Sequence, residues 1–375
     1  MMSSSTTLES FLSQIKHFVI NHLTPTIESG EISSMAGKNL LSSAAEYGLL
    51  GIEVPVRLGG SGFPFSSKVA AAKLLSFNDF GVSMSLINTH NVAEQIARLG
   101  SSNLIERHIK DLISGKKSAC TALTEPEVGS DFSAIKTTAK RVQNGWILNG
   151  SKAWITNAVH AEVFVVYAQT ESNSGANGIA AFIVESQKTG FTRLEPHKSP
   201  VPSIGAGAFT LSDYFCEDIE MLSPPGEAFK DILQAINGAR IYVAAMCCSM
   251  LEACLLRSTA YGKKRYTFGK PLLAHQGWRW QLAEAAVELE AAQTMVHSAA
   301  SLIDTEKEAQ SIAAKTKIFA TRMAQKHVPI LMHSMGAEGL SLHQPFTRHL
   351  AASQMAGLVD GSTEMLLERI TKDFL

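Results

Sequence analysis

Apolar residues recur every three to four positions at the start of the chain. In "FLSQIKHFVINHL", Phe11, Ile15, Phe18, Val19 and Leu23 share one side of a 3.6-residue period, which predicts an amphipathic helix. "NLLSSAAEYGLLG" continues the pattern and predicts a helix that stops at Gly51. "VRLGGSGFP" reads as a glycine-rich connection, with more helix beyond it. From Ser118 the period changes. Asn144-Gly145 and Asn149-Gly150 are hairpin signals, because asparagine and glycine tolerate positive φ. "VFVVYAQ" and "IAAFIVE" predict buried strands, and "AFTLSDYF" alternates as a half-exposed strand does. From Gly226 the helical period returns in "GEAFKDILQAINGARIYVAAMCCSMLEACLLRSTAYG", "QLAEAAVELEAAQTMVHSAASLI" and "AAKTKIFATRMAQKHVPILMHSM". Long helices with short connections predict a bundle. The plan is helices, a small β domain, then a helical bundle.

Composition narrows the function classes. The 375 residues are 45% hydrophobic and 18% charged, as suits a globular protein with a large core. A formal net charge of -1 leaves no electrostatic footprint for nucleic acid and no polybasic membrane patch. The start, "MMSSSTTLES", lacks a basic region followed by an apolar core, so no signal peptide is expected. No apolar run approaches a bilayer span. The five cysteines, Cys120, Cys216, Cys247, Cys248 and Cys254, form no C-x-x-C pair, which predicts a reduced, cytoplasmic protein.

Several chemistries lack their signatures. There is no G-x-G-x-x-G after a strand and no P-loop, H-E-x-x-H, zinc-spaced Cys/His cluster or G-x-S-x-G elbow. Three dense strings remain. In "TALTEPEVGSDF", Gly129 and Ser130 can offer backbone N–H groups and a hydroxyl to an anion, while a capping turn at Asp131 is the plainer reading. In "NGSKAWITNA", Trp154 and Thr156 share one face of a possible strand. There they either stack on and hydrogen-bond a flat ring or belong to the core. In "YGKKRYTFGKPLLAHQ", Arg265 suits phosphate, and Gly269 alternatively ends a helix.

Taken in order, "TEP-x-x-GSD", "W-I-T-N" and "R-x-x-F-G-x-P-L" resemble the acyl-CoA dehydrogenase family of flavoproteins over nearly the whole chain. The resemblance implies an α+β, mainly α fold. It has an N-terminal helical domain (residues 1–117), a middle β-barrel-like domain (118–224) and a C-terminal four-helix bundle domain (225–375). It also implies FAD, an acyl-CoA substrate, electron-transfer flavoprotein or another electron acceptor, and a homodimer or homotetramer. Leu123, Thr124 and Ser130 match positions lining the flavin and its pyrophosphate, Ser130 also lying toward substrate. Trp154 and Thr156 match residues that pack on the flavin ring and bond its N5 region. Arg265, Phe268 and Gln276 match positions reaching the FAD of a neighbouring subunit. Gly336 matches the glycine pair near the adenosine portion. Ser362 and Glu364 match positions near the pyrophosphate and adenine. Arg240 matches an arginine beside the active site.

Asp360, in "LVDGSTEMLLERI", falls where many members carry the glutamate that removes the substrate α-proton while the β-hydrogen leaves as hydride. Aspartate is shorter by about 1.5 Å, and by local rules it also reads as the N-cap of the last helix. A second base position used by some members is Ala239 here. Further departures are His275, Arg279, His333, Ala351-Ala352, the loop "HKSPVPSIGAGAF" and a shortened "EDIEMLSPPGEAF". They resemble divergent members acting on acyl groups held by an acyl carrier protein in secondary metabolism. A non-catalytic flavin-binding relative is the remaining alternative.

Overall fold

In the computed structural model, which describes residues 7–30, 32–172, 174–195 and 198–374, the first apolar stripe folds as α1 (Leu8–Phe18). The polar start over residues 1–6 and His197 of the loop before Gly205 lie outside the described residues. Phe11, Ile15 and Phe18 are buried along one side of α1. A π turn over Val19–Leu23 follows, and its wider spacing keeps Leu23, five residues after Phe18, on the buried side. Val19 is only half-buried in consequence. Three short helices come next, α2 (Thr24–Glu28), α3 (Ala36–Asn39) and α4 (Leu41–Glu46). The expected stop at Gly51 falls earlier: the helix ends before Gly48, whose φ of 75° supplies the left-handed turn. Leu49 and Leu50 are buried beyond that turn, which continued the apolar pattern past the true helix end. Then follow α5 (Phe65–Ser76), α6 (Phe80–Leu99) and α7 (Ser102–Ile113).

The change of period at Ser118 marks the sheet. Its strands are β1 (Ala119–Ala122), β2 (Thr138–Val142), β3 (Gly145–Ile155), β4 (Val163–Gln169), β5 (Ile179–Glu185), β6 (Phe191–Arg193), β7 (Gly207–Glu217) and β8 (Met221–Ser223). The order is β6-β7-β3-β2-β4-β5-β8, with β1 parallel to β4, so the sheet is open and not a closed barrel. Gln143-Asn144 turns β2 into β3, with Asn144 at φ 62° and Val142 facing Gly145, as the first hairpin signal predicts. The second signal is not a hairpin. Asn149 and Gly150 lie inside β3, where the register against β7 shifts between Leu148 and Gly150. A Cβ on Gly150 would fall 2.7 Å from the Thr137 Cα, so this glycine serves a bulge and a close backbone approach. Phe164, Phe182, Phe209 and Tyr214 fill the core beside the sheet, with Trp146 against it.

The remaining chain is helical apart from a small hairpin: α8 (Ala228–Lys264), β9 (Tyr266–Thr267), β10 (Lys270–Pro271), α9 (Gln276–Asp304), α10 (Gln310–Ser334), α11 (Phe346–Leu358) and α12 (Thr363–Thr371). α10 packs against α9, α11 and α12. Among the described residues α8 is the one helix long and apolar enough to cross a membrane, and 83% of its most apolar window is buried.

Contacts divide the chain into two compact units. The first runs to Ser67 and then from Gly81 to Ala235; the second joins Lys68–Phe80 to the chain from Ile236 onward. The short inserted segment belongs to the second unit through its ends. The Ser249 hydroxyl donates to the Lys73 carbonyl at 2.6 Å, and Arg348 Nε donates to the Asn78 carbonyl at 2.9 Å.

Within the first unit, Asn157 ties the turn after β3 to α6 and β1. Its amide donates to the carbonyls of Ser85 (2.8 Å) and Ala119 (3.0 Å) and accepts from the Ser85 hydroxyl (2.5 Å). Its φ of 64° suits asparagine better than most residues. Asn157→Ala is therefore expected to destabilise the protein by about 3 kcal/mol, since it leaves buried partners unsatisfied in a left-handed turn. A denaturation midpoint unchanged from the parent would contradict that role.

Candidate active site

The two strings of the middle region meet through a buried ion pair. Lys152, on β3, is 1% exposed and donates to the Glu125 carboxylate at 2.8 Å and the Leu123 carbonyl at 3.1 Å. Glu125 also accepts from the Lys136 N–H (2.6 Å), the Thr137 N–H (2.9 Å) and the Thr137 hydroxyl (2.5 Å). Burial pushes the Glu125 carboxyl up, but the Lys152 charge and these hydrogen bonds outweigh it and hold the group below its ordinary value. Burial pulls the Lys152 ammonium down to about 8 against the attraction of Glu125. Both groups are therefore charged at neutral pH. The Ala153 N–H donates to the Thr124 carbonyl at 3.1 Å and completes the bridge.

The bridge sets Leu123 and Thr124 beside the end of β3, where the register against β7 shifts between Lys152 and Ile155. Trp154 sits in that irregularity at φ 59° with 61% of its surface exposed, while Ile155 is buried and Thr156 half-buried. A large aromatic side chain held in water on a left-handed backbone position is costly unless something covers it. Ser130 and Gly129 are exposed, and a Cβ on Gly129 would meet nothing within 4 Å. Asp131 does not cap the 3-10 turn that follows; it accepts the Ser133 hydroxyl at 2.6 Å instead.

In the second unit, the expected cap role of Asp360 is not realised. Ser362 is the N-cap of α12, and its hydroxyl accepts from the Met365 N–H at 3.4 Å. Asp360 lies two residues earlier, at φ 54°, followed by Gly361 at φ 101°. The carboxyl oxygen Oδ2 of Asp360 is buried and has no hydrogen-bond partner. Two buried cations bracket it through the backbone. Arg240, on α8, donates from Nε to the Asp360 carbonyl at 3.1 Å and from Nη1 to the Asn237 side chain at 2.8 Å. Lys317, on α10, donates to the Gly361 carbonyl at 2.5 Å. Burial raises the Asp360 carboxyl above its ordinary value, and the charges of Lys317 and Arg240 pull it back only in part. A Cβ on Gly361 would press on Leu366 Cδ2 at 3.3 Å and meet the Arg240 guanidinium in ordinary contact at 3.5 Å, and its φ of 101° would strain any other residue.

Arg265, Phe268 and Gln276 come together along one short segment. Phe268 and Gly269 form the turn of the β9–β10 hairpin, at φ 51° and 76°, so Gly269 is a hairpin residue and not a helix stop. Arg265 and Gln276 are exposed on either side, and Phe268 is 97% exposed. Gly336 opens a separate 3-10 turn, and Glu364 is exposed in the first turn of α12. Lys317, Lys152, Glu125 and Asn157 carry much of this geometry without standing out in the local sequence strings.

Three domain models match the chain: "Acyl-CoA dehydrogenase, N-terminal domain" over residues 5–116, the middle domain over 120–214 and the C-terminal domain over 226–375. The short-chain specific acyl-CoA dehydrogenase of Megasphaera elsdenii is 30% identical, covering 96% of this chain and 95% of that protein. The solved structure of butyryl-CoA dehydrogenase from the same organism is similar with a TM-score of 0.92 at 29% identity, over 100% of both chains. A glutaryl-CoA dehydrogenase from Mycobacterium smegmatis, solved with FADH2, gives a TM-score of 0.90 at 25% identity, over 98% of this chain and 94% of that one.

Removing one member of the Glu125–Lys152 pair strands the other in an apolar interior. Lys152→Met is expected to cost about 3–5 kcal/mol, and Glu125→Leu/Lys152→Met less than the sum of the single changes. Chemical denaturation of the three variants measures this; strict additivity would mean that the two groups do not act as a pair.

Proposed function

The chain belongs to the acyl-CoA dehydrogenase family, and on that premise we propose that it oxidises an acyl-CoA thioester with FAD, using Asp360 as the base. The observation that carries this reading is the buried, unpartnered Oδ2 of Asp360 in a chain of this family. Among the described residues it is the one carboxylate oxygen that is buried without a partner, and such a group suits a ligand as its partner.

The residues present fit the cofactor. Exposed Trp154 with Thr156 offers a face and a hydroxyl to a flat ring, and Leu123 and Thr124 lie beside them. Open backbone at Gly129 and Ser130 suits a pyrophosphate. Gly336, Ser362 and Glu364 are assigned to its nucleotide end. Arg265, Phe268 and Gln276 are assigned to the cofactor of a second copy, which gives exposed Phe268 a reason to face water in one chain. The assembly proposed is a homodimer or homotetramer, with electron-transfer flavoprotein as electron acceptor. When bound, FAD supplies the acceptor for the β-hydride.

The chain's own part is proton removal and charge stabilisation. An α-proton beside a thioester is weakly acidic, so the base must be strong and the carbonyl oxygen must find donors as charge develops. Burial makes Asp360 a stronger base than a carboxylate in water. Among the described residues the Asp360 N–H has no backbone acceptor, which leaves it for the thioester carbonyl. Arg240 holds the peptide on the other side of the Asp360 Cα, by its bond to the Asp360 carbonyl.

Anaerobic mixing of the FAD-loaded protein with a panel of acyl-CoAs tests the reading by flavin bleaching. Acyl-CoA should bleach it, and Asp360→Asn should slow the bleaching by about 10²–10⁴-fold. Because the base acts ionised and its pKa is raised, the rate should fall with pH through a midpoint above the ordinary carboxylate range. Bleaching by acyl-loaded carrier protein alone would transfer the substrate to that class. Bleaching by neither, with Asp360→Asn like the parent, would leave a non-catalytic flavin protein.

A further inference from the structure

We propose that Lys317 is the positioning residue for this base: its buried ammonium fixes the Asp360–Gly361 turn through the Gly361 carbonyl and sets a positive charge against the peptide that follows the base. The proposal deepens the assignment of Asp360 as base and rests on it.

Lys317 lies on the buried side of α10. Ala313 and Ala314 precede it by four and three residues, Ala320 and Thr321 follow at the same spacings, and all are buried. A lysine 1% exposed in such surroundings is costly, and its cost is usually met by a carboxylate within ion-pair distance. Lys317 instead donates to a peptide carbonyl 44 residues on, at 2.5 Å. The preceding carbonyl, that of Asp360, is taken by Arg240 from α8 at 3.1 Å. Two consecutive carbonyls are thus held by buried cations from two different helices. Between them the backbone stays at φ 54° and 101°, a conformation aspartate adopts at some cost unless its surroundings impose it.

Titratable groups from α8 and α12 surround this place. Arg240 and Cys247 face it from α8, and Glu364 and Arg369 from α12. Cys247 is buried, its thiol pushed far up by burial, so it remains neutral. Arg240 gives one bond to Asn237, and Glu364 is exposed in the first turn of α12. Lys317 and, after it, Arg240 oppose the burial of Asp360. Burial lowers its own ammonium to about 8, so at neutral pH it still carries the charge. A residue that only filled space on α10 would not move the titration of a carboxylate on another segment.

The test separates charge, hydrogen bond and packing. Lys317→Gln keeps a donor for the Gly361 carbonyl without charge, Lys317→Met removes both, and Lys317→Arg keeps charge. In the FAD-loaded protein, the Asp360 carboxyl is titrated by infrared difference spectroscopy, its band identified by loss in Asp360→Asn. In the Gln and Met variants the midpoint should rise by about one pH unit, so the ratio of protonated to ionised carboxyl rises about tenfold at a given pH. In the Arg variant it should stay near the parent value. The acid limb of flavin reduction should rise in parallel, with the lost rate regained at higher pH. An unchanged midpoint in Lys317→Gln overturns the proposal, and the Gln and Arg variants decide it if the Met variant does not fold. If Asp360→Asn reduces flavin like the parent, the base assignment fails while the titration still reports on Lys317. If Asp360→Asn is inactive and the midpoint does not move, Lys317 alone fails.

Discussion

Two adjacent peptide carbonyls, those of Asp360 and Gly361, are held by cations that have been taken out of water. Everything proposed for the second unit depends on that arrangement. A carboxylate enclosed in protein tends to pick up a proton, because its charge has lost its solvation. A direct salt bridge would prevent this, but it would occupy the oxygen proposed to meet the substrate. Binding Arg240 and Lys317 through the backbone solves both problems. The positive charge lies close enough to favour ionisation, while Oδ2 remains without a partner. The same bonds hold the left-handed turn that precedes α12, whose terminus Ser362 caps.

The first unit uses the opposite arrangement where no group needs to react. Glu125 and Lys152 are buried together and satisfied directly, with Thr137 and Lys136 completing the carboxylate's shell. Their work is mechanical. The pair joins the loop after β1 to the end of β3, where the Ala153 N–H also holds the Thr124 carbonyl. Fully paired charge makes a rigid support, whereas the Asp360 carboxyl keeps an oxygen without a partner.

Local patterning carried the fold far and the site only partway. The period of hydrophobic positions found α8, α9 and α10, and β-branched runs found β4 and β5, because these elements are long or fully buried. It erred where a local signal had a non-local cause. Asn149-Gly150 reads as a turn, yet the glycine is there because Thr137 passes close by. Asp360 reads as a cap because its neighbour Ser362, the real cap, follows so closely. The supporting residues were harder still. Nothing near Lys152 announces Glu125, and nothing near Lys317 announces Gly361. One signal was available for Lys317: a charge on a helix face otherwise lined by Ala313, Ala314 and Ala320. A lone cation on an apolar stripe marks either an error in the helix phase or a buried partner, and here the partner is a carbonyl.

The aspartate itself follows from the same constraint. Losing a methylene draws the carboxyl about 1.5 Å toward its own backbone, and therefore toward the peptides held by Arg240 and Lys317. A shorter side chain reaches less far but moves less. In a site where misplacement of about 1 Å costs about 10²-fold, such a base is useful only if its backbone is held firmly. The Asp360–Gly361 turn meets that condition, with cations from α8 and α10 fixing consecutive carbonyls. The shortened side chain and the doubly held turn are then parts of one arrangement, in which precision of the backbone replaces reach of the side chain.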